Sequence, residues 1–198
     1  MVVALGGIIA AAGCSSSAAL QIPRFDISDE SMFRQYSGLA DLANISSAIV
    51  VVEPTGQSFN RRISGVAGAT EKPAPVQYVK MTLVKTISGS VTASEGDEVD
   101  VVSPGVDLNT GQPALLNGGQ CLLFLAPAML DKNDALEGYV VAGGPNGVFC
   151  QADPNKPNDY TSAYASQNKT LPKVLVVGRS NIPEVTHTEA ELLAIGPQ

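Results

Sequence analysis

Tryptophan is absent from this 198-residue chain, and Phe and Tyr contribute only five residues each. So sparse an aromatic set leaves little material for stacking nucleobases or sugar rings. Basic residues are also few, 12 Lys and Arg against 19 Asp and Glu, for a formal net charge of −7. The pair Arg61-Arg62 is the only basic cluster. Nucleic-acid binding needs a basic face that displaces counterions from phosphates, so the balance has the wrong sign for it. The same excess of acid disfavours anionic lipid head groups. Histidine occurs once, as His187, and neither a G-x-S-x-G elbow nor an H-E-x-x-H helix is present. No catalytic residue, cofactor or metal ligand is assigned from the sequence.

What the chain does have is 44% hydrophobic residues, enough for a packed core and too many for global disorder. Most are Val, Leu, Ile and Ala, interrupted by 19 Gly and 13 Pro. Short valine-rich runs between Gly and Pro predict β-structure with many turns.

Met1–Gly13 carries no charged side chain and is apolar or small throughout. It is shorter than the roughly 20 residues a membrane-spanning helix takes, and has the length of a signal-peptide apolar region. The string Ala11-Ala12-Gly13-Cys14 resembles the lipobox of bacterial exported lipoproteins, and Ser15-Ser16-Ser17 follows as a polar tether. The family favours Leu where Ala11 stands, and a basic n-region is missing before Val2. An ordinary secretory signal with an incidental Cys14, or a buried N-terminal strand, are the alternatives. The resemblance implies that residues 1–13 are removed and that Cys14 is lipidated, with acyl chains such as palmitate. More than the two hydrophobic signals needed for stable anchoring would then be present. Residues 14–27 would form a tether with a coil dimension of roughly 20 Å. Residues 28–198 would form one extracytoplasmic domain, exported and held at the cell membrane.

Export would put Cys121 and Cys150 in an oxidising setting, where a pair is expected to bridge. Closing the intervening loop stabilises by about 3 kcal/mol on the chain-entropy model. Two buried free thiols are the alternative. With Cys14 acylated, two cysteines and one histidine fall short of the four ligands of a structural zinc site.

Ser28 is an N-cap candidate for an amphipathic helix of about four turns, with Met32, Phe33, Tyr36, Leu39 and Leu42 on one face. "SAIVVVEP" predicts a short strand ending at Glu53-Pro54, with a weak strand near Arg62 to Val66 after it. "PVQYVKMTLVKTISG" is the longest strand candidate, Val79, Met81 and Leu83 sharing one face. "EGDEVDVVSPG" and "GGQCLLFLAP" each predict a strand, and "GYVVAGGPNGVFCQ" predicts a hairpin about Gly143–Gly147. Asp153 to Thr170 reads as a loop and "KVLVVG" as a last strand. Thr188-Glu189-Ala190-Glu191 matches a capping box before a short C-terminal helix. These elements predict an all-β core, a small OB-like barrel or alternatively a sandwich, with a helix at each end.

The series "VKMTLVKTISG", "EGDEVDVVSPG", "LLNGGQCLLFLAP" and "GYVVAGGPNGVF" resembles small exported bacterial β-barrel domains. It is loosely similar to OB-like barrels of the netrin and tissue-inhibitor type, over Ala48 to Gln151. The N-terminal cysteine cluster with which those inhibitors engage metalloproteases is missing, so the resemblance implies a fold and no inhibitory activity.

Other motifs reduce to turns. Asp131–Glu137 and Asp153–Asp159 gather oxygen ligands, but Ala135 and Pro157 occupy the third position of a calcium loop. "GGPNG" lacks the G-K-[ST] and the helix of a phosphate loop. His187 reads as an exposed residue at a helix start. Asn44 and Asn168 match glycosylation sequons. The expected role is a membrane-anchored binding or interaction module whose partner is an envelope protein or a ligand, with no nucleic acid. An exported hydrolase with an unrecognised site and a passive envelope spacer are the alternatives.

Overall fold

Alternation at period two makes the central strands, and two faces of burial set their composition. The computed structural model describes residues 22, 23, 25, 39–62, 75–107, 109–128, 138–163 and 186–195. Strand β2, Pro75–Gly89, buries Val79, Met81 and Leu83 on one side, as the sequence pattern requires. It pairs antiparallel with β1, Ala48–Arg62.

β1 corrects the sequence reading, which ends this strand at Pro54. The strand runs on for 15 residues, with Pro54 opposite Met81. Proline is tolerated beside a bulge, where no ladder donor is required. Here the register shifts between Pro54 and Ser58, and the Thr55 hydroxyl donates to the Lys80 carbonyl at 3.0 Å. Gly56, at φ +79°, supplies the left-handed residue of the bulge.

β3 (Glu98–Val102), β4 (Cys121–Pro127), β5 (Tyr139–Val141) and β6 (Val148–Gln151) occupy the segments expected of them. The expected hairpin does not form. β5 pairs with Leu125–Pro127 of β4, whereas β6 pairs with Cys121–Leu123 of the same strand. Gly143, at φ +76°, starts a 3₁₀ turn over Gly144–Gly147 that carries the chain from one partner segment to the next. The glycines therefore make a step along β4 rather than a reversal.

Asp159–Ser162, read as part of a loop, is strand β7 on β6, and Thr186–Thr188 is strand β8 on β7. "DYTS" is polar, but Tyr160 and Ser162 turn inward and are buried. Among the described residues the strands form one mixed sheet of eight in the order β1-β2-β3-β5-β4-β6-β7-β8. β1 also pairs with β4 through Ala48–Val52, so the pairings β1–β2–β3–β5–β4 return to β1. The β3–β5 step is parallel and has two registered pairs, Val101 with Tyr139 and Val102 with Val140.

Two cores flank β1 and β4. Ala48, Val50, Val52, Leu123 and Leu125 pack with Val79, Met81, Leu83, Val99 and Val101 on one side. Ile49, Val51, Leu122 and Phe124 pack with Leu42, Phe149 and Tyr160 on the other. Burial on both faces explains why "AIVVV" and "CLLFLA" read as unbroken apolar runs. Each buried Val, Leu, Ile, Phe or Met side chain among them contributes roughly 1.5–3 kcal/mol relative to exposure.

Of the amphipathic helix read from Ser28, Leu39–Ile45 is helix α1, with Leu42 and Ala43 buried. The rest of it lies outside the described residues, as do "KVLVVG", Asn168 and the acidic string Asp131–Glu137. Helix α2, Glu189–Leu193, begins in the capping box expected of it: Thr188 N donates to Glu191 Oε2 at 2.8 Å, and Glu191 N to Thr188 Oγ1 at 3.3 Å. An ion pair between Lys85 and Glu189 ties this helix to β2. Phe25 is fully buried in the first core and Ile22 packs on it, so the packed domain includes residues before Ser28.

Candidate functional site

Cys14 lies outside the described residues. Cys121 and Cys150 face each other across β4 and β6, with Cα atoms 4.0 Å apart and sulfurs at disulfide distance. Both are buried in the first core. The pair links β4 to β6, the strand through which β7 and β8 join the sheet.

His187 departs from its expected place. It sits in β8 rather than on an exposed helix start, and its side chain is 14% exposed. Its ring meets Phe149 edge-on with centroids 6.0 Å apart, and its Nδ1 is 3.9 Å from Glu191 Oε2. Nε2 is buried without a hydrogen-bond partner among the described residues. Burial pushes its pKa below the usual 6.5, and the Glu191 carboxylate offsets this only in part. The unfolded chain then binds more protons than the native one below that pH, so stability is full above about pH 6.5 and falls as pH drops toward the lower native value. His187→Gln is expected to flatten the urea midpoint between roughly pH 5 and pH 7. An unchanged slope in the variant would contradict this account.

Acidic turns hold themselves together. Asp153 Oδ1 accepts from Asn155 N at 2.9 Å and Asn155 Nδ2 at 3.1 Å. Asp107 is buried, which pushes its pKa up. Donors from Asn109, Thr110 and Asn117 outweigh that and hold the carboxyl below the usual range. An open cavity of about 220 Å³ is lined by Ala152, Asp153, Lys156, Asp159, Thr161 and Thr188. Among the described residues no group of three His, Cys, Asp or Glu side chains could hold a metal ion.

The outer face of β1, β2 and β3 carries more distinctive chemistry. Inward-facing Val79, Met81, Val99 and Val101 leave Lys80, Glu98 and Asp100 on the other face, where Tyr78 also lies but is covered. Phe59 lies opposite Tyr78 and stacks on it, centroids 5.2 Å apart and planes 8° from parallel. The Arg61 guanidinium stands 6.0 Å from the Phe59 centroid and 5.6 Å from that of Tyr78. Lys80 Nζ stands 5.9 Å from Phe59. Cations at these distances are drawn to the ring faces. Lys80 also donates to Glu98 at 2.9 Å and lies 3.5 Å from Asp100. The hydrogen bond to Glu98, followed by the charge of Asp100, raises its pKa.

Tyr78 is buried beneath this arrangement, while Phe59 is half-buried and Arg61 exposed. The sequence reading misses the face because it breaks β1 at Pro54 and so loses the register that sets Phe59 on Tyr78. Alternation of Phe59 with Arg61 at spacing two is the available signal.

No known protein family, curated protein or solved structure matches the chain.

Proposed function

We propose that this chain is a lipid-anchored extracytoplasmic binding module, built on a small OB-like barrel and held to the membrane through Cys14. The return of the strand pairings to β1 supports the barrel: β1–β2–β3–β5–β4–β1, with β3 and β5 parallel, joins five strands in a ring. The cysteine pair at disulfide distance supports an oxidising compartment, since such bridges are rare where thiols are kept reduced.

The observation that carries binding is the stacked Phe59–Tyr78 pair flanked by Arg61 and Lys80. It sets an aromatic edge and two cations on the outside of a chain otherwise poor in both. Non-reducing peptide mapping of the protein from native membranes tests the anchoring. The expected result is an acylated Cys14 at the mature N-terminus, with Cys14→Ser moving the chain to the soluble fraction. An unmodified Met1 with a free Cys14 thiol would overturn it.

A further inference from the structure

We propose that the segment 186–195 is an acid-released latch: protonation of His187 detaches β8 and α2 from β7, while the strands from β1 to β7 stay assembled. The latch is independent of how the chain is anchored. Three observations carry it.

First, the side chain that β8 sets against the second core is an imidazole. β8 is three residues long, and His187, registered with Tyr160 of β7, puts its ring against Phe149 of β6. The other strands supply Ile49, Val51, Leu122 and Phe124 to that core, none of which titrates. His187 is the chain's one histidine. No other side chain has an ordinary pKa between pH 5 and pH 8.

Second, the surroundings are poorly suited to a charged ring. Nε2 is buried with no hydrogen-bond partner among the described residues, and a buried charge without an acceptor is costly. Phe149 of β6 offers no charge, and Tyr160 of β7 is a neutral phenol hydrogen-bonded to Gln151. Beyond Tyr160, Lys85 of β2 is a cation already paired with Glu189 of α2. Asp159 is registered with Thr188, so strand alternation sets it on the opposite face. That leaves Glu191 of α2, whose Oε2 lies 3.9 Å from Nδ1. This carboxylate is 61% exposed and already accepts from Thr188 N, and an exposed pair of this kind contributes little. Burial therefore outweighs Glu191 in setting the proton affinity of the docked ring.

Third, the segment can leave without dismantling the sheet. Among the described residues β8 ends the strand order, and it pairs with β7 through three registered pairs. Besides that ladder, Glu189 N donates to the Asn158 carbonyl at 3.0 Å, and the Lys85–Glu189 ion pair joins α2 to β2. Neither the β1–β2–β3–β5–β4 ring nor the Cys121–Cys150 pair involves β8. Small peripheral units with few attachments open at lower cost than the whole fold. Release solvates the imidazolium and uncovers Phe149 on the side that His187 occupies.

Hydrogen exchange of the oxidised full chain tests the latch, with labelling times scaled to the intrinsic rate at each pH. Between pH 7.5 and pH 5.0 the protection of residues 186–195 is expected to fall about threefold or more. At pH 5.0 their exchange should be faster than that of β4 and insensitive to low urea, because a local opening exposes little surface. His187→Phe keeps a ring against Phe149 and removes the proton, so protection of the segment should become equal at the two pH values. Glu191→Gln keeps an acceptor for Thr188 N and removes the charge, so it should deepen the fall. The proton signals of the single imidazole give a reading without substitution, with a midpoint expected below 6.5. A midpoint at or above 6.5 would overturn the proposal, as would a pH step that survives in His187→Phe. So would segment exchange that matches β4 in rate and urea dependence, since the segment would then open only when the whole fold does.

Discussion

Opening the Cys121–Cys150 link is expected to lower the thermal midpoint by roughly 10 °C, a cost of about 3–4 kcal/mol. The closed loop has a sequence separation of 29 residues, and its entropy returns to the unfolded chain when the link is lost. The two residues are registered partners on β4 and β6, so the link ties neighbouring strands of the sheet. Calorimetry of the oxidised protein, the reduced protein and Cys121→Ala/Cys150→Ala would measure the effect. Equal midpoints for the oxidised and reduced forms would sink the account. Reduction should first loosen β6, β7 and β8, whose connection to the other strands runs through β4.

Phe149→Ala should cost a comparable amount, about 3–5 kcal/mol, read as a lower urea midpoint with an unchanged slope. Phe149 is fully buried, and its ring lies 5.8 Å from that of Phe124, tilted by 58°. It also receives the edge of His187, so truncation empties the point where β4, β6 and β8 meet. Phe149→Leu keeps most of the volume and should lose less than half as much. A loss below about 1 kcal/mol for the alanine variant would show that the outer layer collapses to fill the space. Phe149 and Cys150 are neighbours on β6, so the two perturbations are not expected to add.

Where the sequence is legible, local chemistry and tertiary placement agree. β2 can be read at Val79, Met81 and Leu83 because these alternate residues share one buried face. The α2 capping box can be read because Thr188 and Glu191 satisfy each other without distant help. β1 is cut short in the sequence because Pro54 usually ends a strand, and only its partner β2 reveals that a bulge absorbs it. The Gly143–Gly147 turn looks like a hairpin because the shared partner, β4, lies some twenty residues upstream. β7 is hidden because its inward residues are Tyr160 and Ser162, a weak apolar signal whose burial comes from the layer above it. The cysteine pairing follows from count and expected compartment. The Phe59–Tyr78 stack follows from neither, since it depends on register across a bulge.

The ladder between β1 and β4 also sets a timetable. Ala48 through Val52 find their second partners only in Leu125 through Cys121, about seventy residues later. A chain emerging N-terminus first must therefore hold a bare, five-residue apolar strand until β4 arrives. Contacts so distant in sequence make assembly slow, because loop closure precedes any gain. The hairpin of β1 with β2 can form early and shield one edge of that strand in the interval. Oxidation of Cys121 waits longer still, until β6 has been delivered, so a folding catalyst acting on a half-emerged chain would find one thiol of the pair without its mate.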